Sequence, residues 1–351
     1  MRSGKKKIIK CFVLTFAIIA LLVAAGGAYL FWSAVYKNNI NLPVNKTAFL
    51  YIKTGSDYQA MLENFKTNSL LKNQETFNWL ALRKNLPNHI YPGRYEIQAG
   101  MNNDELIDML RSGAQKPLNV TFNNLRTVEQ LAGVVAAQIE ADSTSIINYI
   151  YSDDFQKKYQ LTWQEAPLLF IPNTYQFYWN TDAEAYVDRM QKEYKRFWDD
   201  EKVAKAKNLK LTPAEVSIVA SIVDKETNQN DEKPSIAGVY LNRLEKGWKL
   251  QADPTTVFAF YLENDSILNR VLKKHTEIDL PYNTYIYKGL PPGPICLPSI
   301  SGLNAVLNPK NHDYMFFVAK ADGSGIHHFS KTYNQHLRYA REHYKALKNK
   351  K

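Results

Sequence analysis

The sequence predicts an α+β protein carried on one apolar helix, and three observations lead there. From Cys11 to Trp32 the chain reads CFVLTFAIIALLVAAGGAYLFW, with no charged residue. Residues 47–117 alternate short strand patterns with short amphipathic helices. The rest of the chain continues that mixture, with helical periodicity dominant and strands few. A length of 351 residues suits two or three domains. Hydrophobic residues make up 45% of the chain, enough to bury real cores.

The first element is the apolar run. A membrane-spanning helix needs about 20 apolar residues, and residues 11–32 supply them. Arg2, Lys5, Lys6, Lys7 and Lys10 crowd the segment before it, residues 1–10. Cations on that side predict a cytoplasmic N-terminus and an extracytoplasmic remainder from about residue 37. Trp32 and Tyr36 suit the membrane interface. A cleaved signal peptide has an apolar core of about 7–15 residues and a small-x-small cleavage site. This run is longer and ends in the bulky Tyr29, Leu30, Phe31 and Trp32, so a retained anchor is the reading. Residues 33–46 are polar with one proline and read as a linker.

The net charge of +10 sits largely in that head and in Lys345, Lys348, Lys350 and Lys351 at the end. The body between is near neutral and carries no nucleic-acid-binding motif, so no nucleic-acid partner is expected. Cys11 would lie at the membrane and Cys296 far outside it, so they cannot pair, and no disulfide framework is implied. No Cys/His spacing suggests a metal.

Next come a strand in FLYIKTG, a helix with Met61, Leu62 and Phe65 at helical spacing, and a second helix with Phe77, Leu80 and Ala81. Pro92 and Gly93 lead into a strand, RYEIQAG. Asn102 or Asn103 can cap the following helix, which carries Leu106, Ile107 and Leu110 and meets Gly113 at its end. Residues 47–117 are thus a small α+β unit. Residues 118–205 read as a helical connecting region, with Thr127 capping VEQLAGVVAAQIEA. IYPGRYEIQAGMNNDEL and FIPNTYQFYWNTDAEAY share one grammar: Pro, then Tyr three residues on, then a polar cap and a helix. Either an internal duplication or reuse of one strand-to-helix device explains it.

Residues 206–351 form the segment expected to carry chemistry. In LTPAEVSIVASIVDKETN, Thr212 is an N-cap, Pro213 fits the first helical position and Glu215 completes a capping box. At about 100° per residue, Val216, Val219, Ile222 and Val223 share one face, and Glu226 falls in the middle of it. Ser217, Ser221 and Asp224 fall opposite, so Asp224 should be solvated. A carboxylate among apolar groups has its charged form disfavoured and its pKa raised. Such an acid holds a proton near neutral pH and can donate it. The bland alternative is that Glu226, near the helix end, bends out to water.

The helix PSIAGVYLNRLEKG follows and ends at Gly247. In KLQADPTTV, Asp253–Pro254 looks like a cap followed by a first helical turn. DLPYNTYIYKGLPPGPICLPS is rich in Pro, Gly, Tyr and Asn, which suits an ordered irregular loop. YMFFVAK is a strand, and GIHHFSKTYNQH brings three histidines.

At these residues the sequence resembles the YceG-like endolytic murein transglycosylases. ASIVDKET, VYLNRLEKGWKLQADPTTVF, PYNTYIYKGLPPGPICLPS and GIHHFSKTYNQH occur in that family's order and spacing, and the anchor and small α+β unit match as well. The resemblance implies a LysM-like unit at 47–117 and a catalytic domain at 206–351. It implies Glu226 as the catalytic acid, and Asn242, Gln251, Tyr282, Asn283, Tyr285 and His327 as residues lining or supporting a glycan cleft. It implies no cofactor and no metal, a peptidoglycan substrate, proximity to peptidoglycan synthases, and residence in the cytoplasmic (inner) membrane. The implied reaction is a lytic cut between N-acetylmuramic acid and N-acetylglucosamine, leaving a 1,6-anhydro end. That reaction needs a single carboxylate, because the nucleophile is intramolecular. A hydrolase would need a second, for which Asp253 is the candidate. The third alternative is a non-catalytic wall-binding scaffold.

Overall fold

The computed structural model describes residues 2–349. Met1, Lys350 and Lys351 lie outside the described residues, and with them part of each basic end. The chain divides into two compact units, Met1–Leu118 with Gln176–Asn180, and Asn119–Tyr175 with Thr181–Lys351.

The first unit begins with α1 (Arg2–Tyr36), whose stretch Lys10–Tyr36 is long and apolar enough to cross a membrane. The helix runs past Trp32 into the segment read as a linker. Val35 is buried in the unit's core, Phe31 meets Trp79 edge-on at 5.9 Å, and the Asn103 amide donates to the Ala34 carbonyl at 2.8 Å. Ile40 is buried too. Asn39 beside it is satisfied at both ends: it donates to the Asn73 carbonyl (2.8 Å) and Asn103 Oδ1 (2.7 Å) and accepts from the Asn73 N–H (2.8 Å). Polar composition therefore did not mean exposure here, because asparagine amides satisfy one another and the backbone.

β1 (Thr47–Ile52) pairs antiparallel with β2 (Gly93–Gln98), Leu50 opposite Tyr95. Leu50, Ile52, Tyr95 and Ile97 alternate inward along the two strands, as the two-residue period requires. They pack on α2 (Tyr58–Thr67), α3 (Gln74–Arg83) and α4 (Asn103–Ser112) through Met61, Phe65, Phe77, Leu106 and Leu110. Asp57 and Asn73 cap α2 and α3, and Asn102 with Glu105 makes a reciprocal capping box on α4. Gly113 ends α4 at φ +66°, a left-handed conformation that glycine adopts without strain.

The second unit holds the remaining elements. β3 (Leu118–Phe122) and β4 (Asn173–Phe177) form a two-stranded sheet, whose residues 119–122 and 173–175 belong to this unit. Between them lie α5 (Val128–Ala136), α6 (Ser143–Ile150) and α7 (Asp153–Tyr159). Then follow α8 (Ala183–Phe197), α9 (Asp200–Asn208), α10 (Pro213–Glu226), α11 (Lys233–Glu245), α12 (Asp253–Asn264) and α13 (Ile300–Leu307). A hairpin, β5 (Phe316–Ala319) against β6 (His327–Ser330), and α14 (Tyr333–Asn349) complete it.

The shared grammar of the two Pro–Tyr segments has a physical basis. The Tyr95 hydroxyl donates to the Tyr91 carbonyl (2.9 Å) and that of Tyr175 to the Ile171 carbonyl (2.6 Å), each bridging back over a proline. Each tyrosine is the third residue of its strand, and a capped helix follows, with Asn102 and Asp182 as the caps.

The centre of the second unit is α10. Glu215 and Thr212 close the expected capping box, and Val216, Val219, Ile222 and Val223 are fully buried against α11, α12 and α13. Burying side chains of this size stabilises by about 1.5–3 kcal/mol each. The opposite side of α10, expected to face water, is buried as well. Its serines are small and turn back on the helix: Ser217 Oγ donates to the Pro213 carbonyl and Ser221 Oγ to the Ile218 carbonyl. Asp224 is not solvated. It forms a buried ion pair with Lys233 at 2.7 Å and accepts from the Ser299 N–H (2.7 Å) and Oγ (2.8 Å). Lys233 also donates to Ser301 Oγ at 2.8 Å. The carboxylate thus holds the start of α13, and a Cβ at Gly302 would lie only 2.6 Å from it.

Candidate active site

Glu226 is the last residue of α10, and the chain leaves the helix at Thr227. The apolar face that carries Glu226 ends at a cleft of about 1260 Å³, lined also by Arg126, Lys225, Asp253, Arg270 and Val318. His343 and Tyr344 of α14 form part of the same wall. Glu226 does not bend out to open solvent. The Tyr240 hydroxyl on α11 donates to its Oε1 at 2.5 Å. Burial, reinforced by the Asp253 charge, raises its pKa from 4.5 to about 7, against the opposing pull of the Tyr240 hydrogen bond and the Arg243 charge. A carboxyl with these neighbours holds or releases a proton near neutrality.

Arg243 is buried one turn beyond Tyr240. Its Nε donates to the Met315 carbonyl at 2.8 Å, and it also donates to the Leu250 carbonyl. Those bonds lock a positive charge behind the Tyr240–Glu226 pair. Tyr240 carries no expectation from the sequence reading. The signal was present: Ile236, Tyr240 and Arg243 stand at i, i+4 and i+7 on one stripe of α11. A tyrosine and an arginine continuing an apolar stripe need buried partners.

Asp253 departs from expectation. It is the first residue of α12 and not its cap; Ala252 occupies the cap position without a side-chain bond. The carboxylate is therefore free of a capping duty. It accepts from the Tyr285 hydroxyl at 2.6 Å and faces the cleft that Glu226 lines. The negative charge also suits the first turn of a helix.

The other residues implied by the resemblance fall into different places. Tyr285 joins the acidic pair directly. Asn283 is fully buried and organises the Pro/Tyr-rich loop: it donates to the Thr276 (3.1 Å) and Ile278 (2.9 Å) carbonyls, and its Oδ1 accepts from Thr256 Oγ1 and the Tyr285 N–H (both 3.1 Å). Through that last bond it positions Tyr285. Asn242 donates to the His312 (2.8 Å) and Tyr314 (3.0 Å) carbonyls, tying α11 to the chain entering β5, and lines a separate cavity. Tyr282 packs edge-on against Phe258 at 4.8 Å and lines another cavity. Gln251 is exposed in a left-handed turn (φ +49°) before α12. His327 Nδ1 lies 2.7 Å from Glu232 Oε2, which is itself 3.4 Å from Thr227 Oγ1, so His327 braces the residue after Glu226. None of the six is among the residues that line the cleft: Tyr285 bonds to one of its acids, Asn283 positions Tyr285, His327 braces the residue after Glu226, and Asn242, Tyr282 and Gln251 lie elsewhere.

The chain is similar to known proteins over most of its length. A sequence model of the YceG-like family matches residues 50–342. A Bacillus subtilis protein named endolytic murein transglycosylase is 30% identical over 346 residues, spanning 93% of this chain and 92% of that protein. One of the same name from Streptococcus pneumoniae is 26% identical over 376 residues, spanning 97% of this chain and 66% of that protein. The crystal structure of a yceG-like protein from Listeria monocytogenes aligns with a TM-score of 0.54 at 25% identity, covering 83% of this chain and 98% of that one.

Proposed function

This chain belongs to the YceG-like family, and we propose that it is a membrane-anchored endolytic murein transglycosylase with Glu226 as its catalytic acid and base. The observation that carries the proposal is a partly buried carboxyl, with a pKa raised to about 7, at the wall of a cleft large enough for several sugar rings. Protonated Glu226 gives its proton to the glycosidic oxygen as the C1–O bond of N-acetylmuramic acid breaks, releasing N-acetylglucosamine with a free hydroxyl. The resulting carboxylate then takes the proton of the muramic acid C6 hydroxyl. O6 closes onto C1, the 1,6-anhydro ring forms, and Glu226 is protonated again. Tyr240, donating to Oε1, stabilises the carboxylate between the two steps. The Asp253 carboxylate favours the positive charge that develops at C1.

The anchor fits this chemistry. With the N-terminus in the cytoplasm, the catalytic unit works on the outer face of the cytoplasmic membrane, where new strands emerge beside their synthases. Cutting there ends elongation. The LysM-like reading of residues 47–117 gives the enzyme a second hold on glycan.

One observation favours a second reading: Asp253, freed from capping and held by Tyr285, gives the cleft the second carboxylate a hydrolase requires. The products separate the two. Full-length protein in detergent is incubated with purified peptidoglycan, and fragment ends are read by mass spectrometry beside Glu226→Gln. Anhydro ends that vanish in the variant are expected. Ordinary reducing ends would establish hydrolysis, and no cleavage by folded protein would leave a binding scaffold.

A further inference from the structure

Among the described residues Arg126 is the one that lines both the catalytic cleft and a second cavity of about 390 Å³. It sits half-buried just before Thr127, the cap of α5. Among the described residues its guanidinium has no carboxylate partner and no hydrogen-bond acceptor. Burial holds its pKa below the ordinary arginine value, as expected for a desolvated cation with no anion beside it. Two more cations stand on the cleft wall without a carboxylate: Lys225, which donates to the neutral Asn124 Oδ1 at 2.8 Å, and Arg270. The cleft therefore offers unpaired positive charge immediately beside Glu226. The second cavity is walled by aromatic rings, among them Trp163, Tyr151 and Tyr261. It also carries Glu129, which accepts from the Tyr151 hydroxyl.

A desolvated, unpartnered guanidinium is costly unless a ligand completes it. With its lactyl carboxyls amide-linked to peptide, a glycan backbone of N-acetylated sugars is neutral and offers a guanidinium only uncharged acceptors. The peptide carried on the muramic acid lactyl group does carry free carboxylates, and an amine as well, which suits a cavity with two acids, Glu129 and Asp265, on its wall. Resting on the transglycosylase reading, we propose that Arg126 is a substrate-specificity residue that binds a carboxylate of the stem peptide, with the peptide entering the aromatic cavity beside it. The enzyme would then recognise peptide-bearing strands, placing the substituted muramic acid against Glu226.

The test uses full-length protein and two strand preparations of equal length, one native and one with its carboxylates converted to amides by carbodiimide and ammonia. Binding is measured by fluorescence anisotropy in the Glu226→Gln background, and cleavage is followed in the wild type. A charge-assisted hydrogen bond of this kind is lost at a cost of about tenfold or more in affinity. Amidation should weaken binding by about that factor in the otherwise unaltered protein. Arg126→Gln should bind native strands about as weakly and become indifferent to amidation, and Arg126→Lys should recover part of the discrimination. A parent protein indifferent to amidation would overturn the proposal, as would an Arg126→Gln variant that still discriminates. A glycan end other than anhydro would sink the transglycosylase reading without touching the charge dependence, because binding is read separately.

Discussion

Glu226→Gln separates the cost of a buried acid from its use. The carboxyl titrates at about 7 in the folded protein against 4.5 ordinarily. Between those values the folded state keeps a proton that the unfolded chain has released. Stability therefore falls as pH rises through that window, is free of this cost below about pH 4.5, and carries it in full above about pH 7. At about 1.4 kcal/mol per pH unit the cost reaches about 3 kcal/mol. Glutamine keeps the shape and the acceptor for the Tyr240 hydroxyl but cannot ionise. The variant should thus come within about 1 kcal/mol of the wild type near pH 5 and exceed it at pH 8 by up to about 3 kcal/mol, or roughly 6–10 °C for a unit of this size. The assay is thermal unfolding of full-length protein in detergent, followed by tryptophan fluorescence at both pH values. A stabilisation equal at pH 5 and pH 8, or absent at both, would refute the claim that ionisation of Glu226 strains the fold.

Further perturbations bear on the same site. Tyr240→Phe removes a hydrogen bond that favours the ionised form, so the Glu226 pKa and the alkaline limb of the pH–rate profile should both move upward, with a lower kcat. Asp253→Asn removes a like charge, and the alkaline limb should move downward; identical shifts in the two variants would contradict the roles given to their groups. Asp224→Ala strands Lys233 in a buried place and should cost about 3–5 kcal/mol in denaturant titrations, whereas a change within about 0.5 kcal/mol would mean that Lys233 finds water. Gly302→Ala should destabilise as well, because the added methyl meets the Asp224 carboxylate, and Asp224→Ala should relieve that penalty in the double variant.

The elements most legible in the sequence were those whose signals are local. The capping boxes at Thr212 and Asn102, the turn at Gly113 and the apolar stripe through Val219 and Ile222 each depend on residues within one or two helical turns. Glu226 was legible for the same reason, as an acid placed by helical period on that stripe. Asp224 was misread because its partners, Lys233 and Ser299, come from other elements, and periodicity cannot show that both sides of a helix are covered. Asp253 was misread because Asp–Pro is a common helix start in which either residue of the pair can be the first helical position. Tyr240, Arg243 and the junction at Arg126 are products of tertiary packing. They bring together α10, α11, α12 and the chain before α5; the stripe on α11 shows that Tyr240 and Arg243 need buried partners, but not which elements supply them.

The continuity of α1 into the first unit has a mechanical consequence. With α1 as a membrane anchor, as proposed, the helix would not stop at the membrane surface and hand over to a slack tether. Val35 and the Ala34 carbonyl are already engaged with α3 and α4. The first unit is thus mounted on its anchor like a blade on a shaft, and any tilt or turn that a bilayer imposes on α1 is passed to it undamped. One residue inserted between Trp32 and the packed Ala34 would turn the unit about 100° around the helix axis and raise it by about 1.5 Å. On the proposed anchoring, the bearing and height of this unit over the membrane are written into the length of a single helix.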